Sequence, residues 1–554
     1  MKPGIKNNRF QLAQQAIILL SIFISVYIIC AIPINSHDFW WHLNTGDYIL
    51  EQTQLPGSED PYTFSVINSD EYNTKRAEFI NKQYWISQVI FSFANSAMGL
   101  QGIIYLRVAL FSVIMFAAYF YVRKRTTILA ACIFLPLFIL TMAIVLEDTD
   151  RPQNFGFLYA FLTVMIVEFA IHKAKRNYLL LCLPVILLYA NSHAGAAVSI
   201  CYLGVYVFFS FFEKRLIPYR GVLAVCFALT FIAIGLNPNG YQVFTQILGT
   251  NQSYVASVTS EFRSPFSIFH PSLAYPGWTA FWILTLIAPL TAVYLLVKKE
   301  FSAAFILCAT LVMALISMRY IFFFTPLAFY FTACFTGSFL DKRKPNITRH
   351  EGVAATFIIF TFALILFLSH QNMQFYSFNN GLPRTSPLIR QDIYPITATQ
   401  FLKENDLGRN IFNLEAWGGY LEYHLYPQYR FFTDTRNLDE NRIKQHFSIL
   451  AYNQQGKKLL SEYNISTVII PPIDYRSGAI YNIIREFYRS DEWQLIFYGK
   501  NAMVFSKDQR STTISKSMIY LHVLSQLNYW GQIYPITPAY IKSLQEAKYF
   551  LARR

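Results

Sequence analysis

Charged residues make up only 14% of this 554-residue chain, against roughly 25% in soluble domains. Hydrophobic residues make up 54%, so the composition indicates a membrane protein. The sequence has no P-loop, G-x-S-x-G or H-E-x-x-H motif, and the common nucleotide-binding, esterase and zinc-protease functions therefore lack support. All seven cysteines lie in apolar segments. A disulfide framework and a cysteine-based zinc site are both excluded on that ground.

The net charge of +14 comes from short Lys/Arg clusters between apolar segments. That pattern is typical of the cytoplasmic connections of a membrane protein, so no nucleic-acid partner is expected. The apolar segments predict about eleven transmembrane helices. They lie near 11–33, 101–122, 126–146, 153–172, 177–192, 195–212, 219–236, 277–297, 301–317, 320–339 and 351–369.

The basic connections all fall on one side if the N-terminus is cytoplasmic. The prediction is therefore an integral protein of the cytoplasmic (inner) membrane, with residues 11–33 as a retained first helix. Two long connections, 34–100 and 237–276, then lie on the extracytoplasmic side. The first contains an apolar stretch, 83–97, that is too short to span comfortably and is expected to be re-entrant or interfacial.

The composition becomes soluble near residue 370, which divides the chain into a transmembrane domain, 1–369, and an extracytoplasmic α/β domain, 370–554. A helix is predicted at 396–405, and polar helices at 512–552. Strands are predicted at 410–414, 429–433 and 466–470, and a β-hairpin at 493–499 and 503–506.

Residues 36–64 contain the most unusual group of polar side chains. His37, Asp38 and His42 fall within six residues, and Asp38 and His42 are four apart, so on a helix they share one face. The two tryptophans between them favour the headgroup level of a membrane. An acid and imidazoles held there suit chemistry on a lipid headgroup. An amphipathic interfacial helix with a solvated polar face explains the same pattern.

Three arginines are predicted at the extracytoplasmic ends of spans: Arg107, Arg151 and Arg319. Guanidinium groups bind phosphate oxygens in a bidentate manner, so these side chains are candidates for binding a phosphate. Alternatively, Arg151 pairs with Asp148 or Asp150 and Arg319 extends to the interface.

His193 follows Tyr189 in a turn of small residues, and it is either a substrate contact or a satisfied structural group. A divalent cation, Mg or Mn, bound by Asp38 and His42 with Asp148 or Asp150, is a further hypothesis. The spacing of these ligands is not that of a known metal motif.

Two blocks in the second domain contain noteworthy residues. Gly418-Gly419, within 415–420, indicates a close backbone approach. Asp434 and Arg436 follow a predicted strand, where they bind a polar ligand or form an internal salt bridge.

The sequence resembles the GT-C superfamily of integral-membrane glycosyltransferases in its basic N-terminus, first span, and long external loop opening on an acid. Within that superfamily it resembles a bacterial group with a D-x-W-W-H-L…T-G…D-P-[FY]-[ST] stretch. The matching residues are Asp38–Leu43, Thr45-Gly46 and 60–65, with further blocks at 151–153, 191–193, 237–238 and 417–420.

The resemblance implies transfer of a sugar, a hexose or pentose, from a polyprenyl-phosphate-linked donor to an extracytoplasmic lipid, glycan or protein acceptor. Asp38 matches the acidic residue that acts as base or metal ligand in such enzymes. His42 is then an orienting group or ligand, and His37, Arg107, Arg151, His193 and Arg319 are substrate-binding candidates. The chain departs from better-known branches because His37, rather than a second acid, flanks Asp38. Two other functions stay open: a flippase for a lipid-linked saccharide, and a non-catalytic scaffold of envelope polysaccharide assembly.

Overall fold

The computed structural model describes residues 3–57, 60, 62–64, 71–145, 150–245, 260–268, 276–341, 348–369, 388–508, 514–533 and 536–552. Asp148 and the boundary predicted at residue 370 lie outside these residues. The chain forms two compact units. The first takes its described residues from Met1–Ile34, Gln83–Gln252 and Ala256–Leu388, and the second from Asn35–Lys82 and Ile389–Arg554.

The described α-helices of the chain are α1 (Pro3–Cys30), α2 (Phe39–Gln52), α3 (Glu71–Gln83), α4 (Trp85–Met98), α5 (Leu100–Arg125), α6 (Ile128–Val145), α7 (Gln153–Lys173), α8 (Cys182–Ser192), α9 (Ala197–Phe209), α10 (Arg220–Gly235), α11 (Pro276–Val297), α12 (Phe301–Ile316), α13 (Ile321–Asp341), α14 (Thr348–Ser369), α15 (Ile396–Glu404), α16 (Gly418–Leu425), α17 (Glu440–Ala451), α18 (Gln454–Glu462), α19 (Asn482–Arg489), α20 (Ser517–Ile533) and α21 (Pro538–Ala552). The strands are β1 (Asn410–Asn413), β2 (Arg430–Phe431), β3 (Thr467–Ile470), β4 (Ile473–Asp474), β5 (Ala479–Ile480), β6 (Gln494–Tyr498) and β7 (Met503–Ser506).

The first unit is a helical body, and among its described residues seven helices are long and apolar enough to cross a membrane. These are α1, α5, α7, α10, α11, α13 and α14, and α6, α9 and α12 are shorter apolar helices. The chain is therefore an integral membrane protein. The count of eleven spans and the orientation of the termini stay predictions. The short apolar stretch at 83–97 forms α4.

Buried charges in the first unit are paired, as a low-dielectric environment demands. Arg107 on α5 donates to both carboxylate oxygens of Asp150, with Nε 2.8 Å from Oδ1. Its Nη1 donates to the carbonyl oxygens of Cys30 and Ile32, at 2.9 and 2.8 Å. Arg107 thus joins the end of α1 to the residues that precede α7. Glu168 on α7 accepts two hydrogen bonds from Arg215, at 2.9 and 3.1 Å.

The second unit is built on a five-stranded sheet of order β2-β1-β3-β7-β6. Strands β2, β1 and β3 are parallel, whereas β7 pairs antiparallel with β3 and β6. Central strand β3 is Thr-Val-Ile-Ile, a run of β-branched residues that is fully buried. The strands, the hairpin and the helix at 396–405 are confirmed where the sequence predicts them, each within a few residues.

The second unit also includes Asn35–Lys82, which the sequence assigned to the transmembrane domain. Thr63 forms a parallel bridge with Phe431 beside β2. Phe64 is buried against Phe432, with ring centroids 5.9 Å apart. These contacts join residues far apart in the chain, which explains why a division by composition at residue 370 did not find them.

A buried guanidinium group, that of Arg436, fastens this early segment to the sheet. Arg436 Nη1 and Nη2 donate to the two carboxylate oxygens of Asp60, at 3.1 and 2.9 Å. Its Nε donates to Asp434 at 2.8 Å, and Glu422 lies 3.5 Å from Nη2. All four side chains are at most 3% exposed. The predicted salt bridge between Asp434 and Arg436 is therefore present, within a larger cluster.

Because three carboxyl groups share one guanidinium group, they affect one another's protonation. Burial raises the pKa of Glu422 well above its ordinary value, and the negative charge of Asp434 adds to that effect, although Arg436 opposes it. A protonated Glu422 lowers the repulsion within the cluster.

We expect Arg436→Met to destabilise the second unit by about 3 kcal/mol or more, because it leaves buried acids without their cation. Urea or thermal unfolding of the purified protein in detergent measures this. The control is Arg489→Met, which removes an exposed arginine paired with Glu486 and is expected to cost below about 1 kcal/mol. Equal unfolding of the two variants would contradict a central role for Arg436.

Candidate functional site

Two groups of predicted site residues occur, one in each unit. Arg107, Arg151, His193 and Arg319 belong to the first unit, whereas His37, Asp38 and His42 belong to the second. Each group is described within its own unit.

Arg151 and Arg319 meet at one carboxylate in the first unit. Arg151 Nη1 lies 3.2 Å from Glu261 Oε2, and Arg319 Nη1 lies 3.0 Å from Glu261 Oε1. Arg151 lies two residues before α7, and Arg319 lies in the turn between α12 and α13. The Arg319 guanidinium also stacks on Phe262, 5.0 Å from its ring centroid. The two arginines are 168 positions apart in sequence, and the fold places both against Glu261.

Glu261 is ionised in this arrangement. Burial alone would raise the pKa of its carboxyl group, but Arg319 and Arg151 outweigh burial and lower that pKa below its ordinary value. Sequence reasoning gave Glu261 no role. One signal was available, because Glu261 is the single acidic residue in 237–276.

Closely packed apolar side chains of α7, α9 and α13 follow these arginines along the chain. Phe157 and Phe322 are buried and stack with ring centroids 3.4 Å apart. Phe157 of α7 lies six residues after Arg151, and Phe322 and Phe323 of α13 lie three and four residues after Arg319. Two arginines at the end of an apolar helical body suit a ligand with an anionic head and a hydrocarbon tail.

His193 ends α8 and stands next to Tyr189, with ring centroids 6.4 Å apart. Its Nδ1 accepts a hydrogen bond from the backbone N–H of Gly195 at 2.9 Å. Burial, and next the positive charge of Arg319, lower the pKa of His193 well below its ordinary value, so the ring is neutral. A Cβ on Gly195 would lie 2.6 Å from Tyr189 Oη. The small residues of this turn do allow a close approach, as the sequence indicates.

The end of α8 is held by Gln83, the last residue of α3, and by the first turn of α4. Gln83 and Ser87 donate to the carbonyl oxygens of Ala190 and Ser192, at 2.9 and 3.1 Å. Trp85 Nε1 donates to the Asn191 side chain at 2.9 Å. Asn191 and Ser192, two residues of the block that matched the family resemblance, are therefore held by side chains from α4.

In the second unit, Asp38 is the N-cap residue of α2 and His42 lies in its first turn. The backbone N–H of His42 donates to the Asp38 carbonyl oxygen at 3.2 Å, which confirms that the segment is helical. His42 is 3% exposed, and its ring lies 3.5 Å from that of Trp41, centroid to centroid. The His37 ring meets the edge of Tyr394 at 5.6 Å.

The expectation that Trp40 and Trp41 lie at the headgroup level is wrong. Trp40 is 0% exposed and Trp41 is 5% exposed. The Trp40 ring packs against Tyr420 of α16, with centroids 5.0 Å apart. The side chains are buried because α16 packs directly on α2.

The Gly418-Gly419 pair makes that packing feasible. A Cβ on Gly419 would lie 3.2 Å from the Trp41 backbone nitrogen, and a Cβ on Gly418 would lie 2.3 Å from the Thr433 carbonyl oxygen. Any side chain at position 418 would collide with the backbone that follows β2.

Glu415, three residues before this pair, is electrostatically linked to Asp38. Burial raises the pKa of Glu415 to about 7, the Asn437 side chain and Arg476 oppose the rise, and Asp38 and Asp434 add to it. Sequence reasoning noted the block but assigned no role to Glu415. The charge of Asp38 therefore acts on a carboxyl group from a distant part of the chain, although no acid is adjacent to Asp38 in sequence.

A metal site at Asp38 and His42 is not supported by the described residues. Among them, no group of three or more His, Cys, Asp and Glu side chains is arranged to hold a metal ion. No chemical step is therefore assigned to a metal.

No protein-family profile and no characterised protein matches this sequence. Solved structures do match. The archaeal oligosaccharyltransferase AglB from Archaeoglobus fulgidus, in complex with an inhibitory peptide and a dolichol-phosphate, superposes with a TM-score of 0.58 at 10% sequence identity, covering 91% of this chain and 75% of that one. The Archaeoglobus fulgidus oligosaccharyltransferase in complex with Zn and sulfate gives 0.59 at 10% identity, covering 97% and 85%. The same enzyme tethered to an acceptor peptide with an NVT sequon gives 0.52 at 10% identity, covering 90% and 74%.

The chain has an oligosaccharyltransferase-like fold. This likeness agrees with the helical membrane body and the sheet-containing second domain that the sequence predicts. At 10% identity it establishes the fold, and the narrower bacterial group stays a prediction.

We expect the contribution of Glu415 to the free energy of unfolding to fall as pH rises from about 4.5 to about 7. The folded state binds a proton over that interval that the unfolded state has released, because the pKa is about 7 when folded and 4.5 otherwise. Glu415→Gln should remove this part. The measurement is the difference in Tm between wild type and variant from pH 4.5 to 8.5. Glu462→Gln, at an exposed glutamate, is the matched control, and a constant difference for Glu415→Gln would contradict the expectation.

Proposed function

We propose that this protein is a membrane glycosyltransferase that moves a sugar from a polyprenyl-phosphate-linked donor to an extracytoplasmic acceptor. The observation that carries the proposal is the oligosaccharyltransferase-like fold over nine-tenths of the chain. The juxtaposition of Arg151 and Arg319 at one anionic side chain supports it independently, because two adjacent guanidinium groups suit a phosphate.

In this proposal the donor phosphate binds to Arg151 and Arg319, and the polyprenyl chain lies in the surrounding membrane. Bidentate arginine contacts stabilise the phosphate as it gains charge on leaving. A dolichol-phosphate in one of the similar structures belongs to the same ligand class.

Asp38 acts as the general base. It takes a proton from the attacking hydroxyl or amide of the acceptor, whose oxygen or nitrogen forms a bond to the anomeric carbon. The bond from that carbon to the phosphate oxygen breaks, and its electron pair stays on the polyprenyl phosphate. His42 orients Asp38 from the same helical turn, and His37 contacts the substrate.

The remaining predicted residues have supporting roles. His193 is a secondary substrate contact, and its neutral ring offers a hydrogen bond without adding charge. Arg107 positions Arg151 indirectly, because it forms an ion pair with Asp150, the residue before Arg151. The acceptor is a lipid, glycan or protein, and an acceptor peptide occurs in one of the similar structures.

Asp38→Asn should lower the rate of sugar transfer by about 100-fold or more, because it removes the base and keeps the shape. The assay measures transfer of labelled sugar from a polyprenyl-phosphate-sugar pool by purified protein, with and without chelator. Unchanged thermal unfolding serves as the control for folding. Full transfer by the variant would reject Asp38 as the base, and absence of transfer by the folded wild type would favour the scaffold or flippase.

Arg319→Gln should raise the KM for the donor by about tenfold to a hundredfold, since a charged hydrogen bond to the phosphate is lost. Arg263→Gln is the matched control, because Arg263 is an exposed arginine of the segment that carries Glu261. Steady-state kinetics with varied donor separates the two variants. An equal effect of both would indicate a general charge effect rather than a phosphate contact.

A further inference from the structure

The carboxylate of Glu261 occupies the position between the two arginines that the proposed function gives to the donor phosphate. Its two oxygens receive one guanidinium each, at 3.2 Å from Arg151 and 3.0 Å from Arg319. Carboxylate and phosphate present similar paired oxygens to a guanidinium fork. The two anions therefore compete for the same hydrogen-bond donors.

The backbone around Glu261 is held firmly by the turn that carries Arg319. Ser317 Oγ donates to the Glu261 carbonyl oxygen at 2.9 Å. The backbone N–H of Met318 donates to the Arg263 carbonyl oxygen at 3.0 Å. Ser264 Oγ donates to the Leu315 carbonyl oxygen at 2.7 Å. With the main chain fixed, rotation of the Glu261 side chain alone releases both arginines.

We propose that Glu261 is an internal competitor that sets the affinity of this site for a polyprenyl phosphate. This proposal rests on the proposed function, because it takes Arg151 and Arg319 as the ligands of the donor phosphate. The two arginines carry two positive charges, and Glu261 neutralises one of them. An anion must therefore displace the carboxylate to bind both guanidinium groups. Its apparent affinity is reduced by the fraction of molecules in which Glu261 holds the site.

The competition also has a use in turnover. After sugar transfer, the polyprenyl phosphate must leave, and a site with two unopposed arginines would retain it. The return of the Glu261 carboxylate restores the ion pairs and releases the product. Tight product binding is a common limit on enzyme turnover.

A different role for Glu261 makes the opposite prediction. If its carboxylate orients the two guanidinium groups for the phosphate, removing its charge weakens binding. The sign of the change in affinity therefore separates a competitor from a positioning residue.

The test measures binding of farnesyl phosphate, farnesol and inorganic phosphate to the full-length protein in lipid nanodiscs by calorimetry. Glu261→Gln keeps the size of the side chain and removes its charge. We expect farnesyl phosphate to bind this variant about tenfold more tightly than wild type, with farnesol unchanged. Inorganic phosphate binding that tightens equally would show that the site selects the anion alone.

Two further variants make the result specific. Arg263→Gln and Glu462→Gln change an exposed charge and should leave farnesyl phosphate affinity unchanged. Ser317→Ala removes the hydrogen bond to the Glu261 carbonyl oxygen, loosens the segment without changing charge, and should tighten binding by a smaller factor. This variant tests the proposal again if Glu261→Gln does not fold.

Equal or weaker farnesyl phosphate binding by Glu261→Gln would overturn the competitor role. That result leaves the proposed function intact if Arg319→Gln still weakens binding and transfer. Tighter binding by Glu261→Gln in a protein that transfers no sugar would instead support the competitor and reject the transferase.

Discussion

The ion pair between Arg436 and Asp60 determines how the second unit is assembled. It joins residues 376 positions apart and is buried together with two further carboxyl groups. A buried guanidinium needs these partners, since an unpaired charge inside a protein costs several kcal/mol. The segment that carries Asp38 is attached to the sheet by this pair, by the bridge from Thr63 to Phe431 and by the packing of Phe64. The position of the candidate base thus depends on an interaction with no direct part in chemistry.

The first unit follows the same rule. Each arginine that the sequence singled out there lies against an acid, and each ion pair links separate elements. Arg107 joins α1 and α5 to Asp150, and Glu261 joins the start of α7 to the α12–α13 turn. A charged side chain at such depth either pairs or serves a ligand. Arg151 and Arg319 do both in the proposed function, because their acid is a side chain that can rotate away.

Local patterns predicted much of this structure. The β-branched run 467–470 gave a strand, the hairpin formed where alternation indicated it, and the apolar segments gave helices. The sequence also placed Arg151 and Arg319 on one predicted side of the membrane. The sequence did not identify Glu261 as the partner of these arginines. It also did not identify Glu415 as a group that Asp38 affects. Both interactions depend on packing between residues far apart in the chain. The sequence assigned Trp40 to the membrane surface because its amphipathic ring suits that position. In the fold, a glycine pair 378 residues away allows another helix to pack closely against it.

The discontinuous second unit has a consequence for how the protein is made. Residues 35–82 leave the ribosome early, but the sheet they join is completed only after β7 at 503–506 has been synthesised. Of the seven apolar helices in the described part of the chain that are long enough to span a membrane, five follow residue 150. The Asp38 segment therefore waits for most of the membrane body to insert before its partners exist. Truncation at residue 370 would leave the segment with a buried acid, Asp60, and without its partner Arg436, so correct placement of Asp38 requires residues that are synthesised after the membrane body.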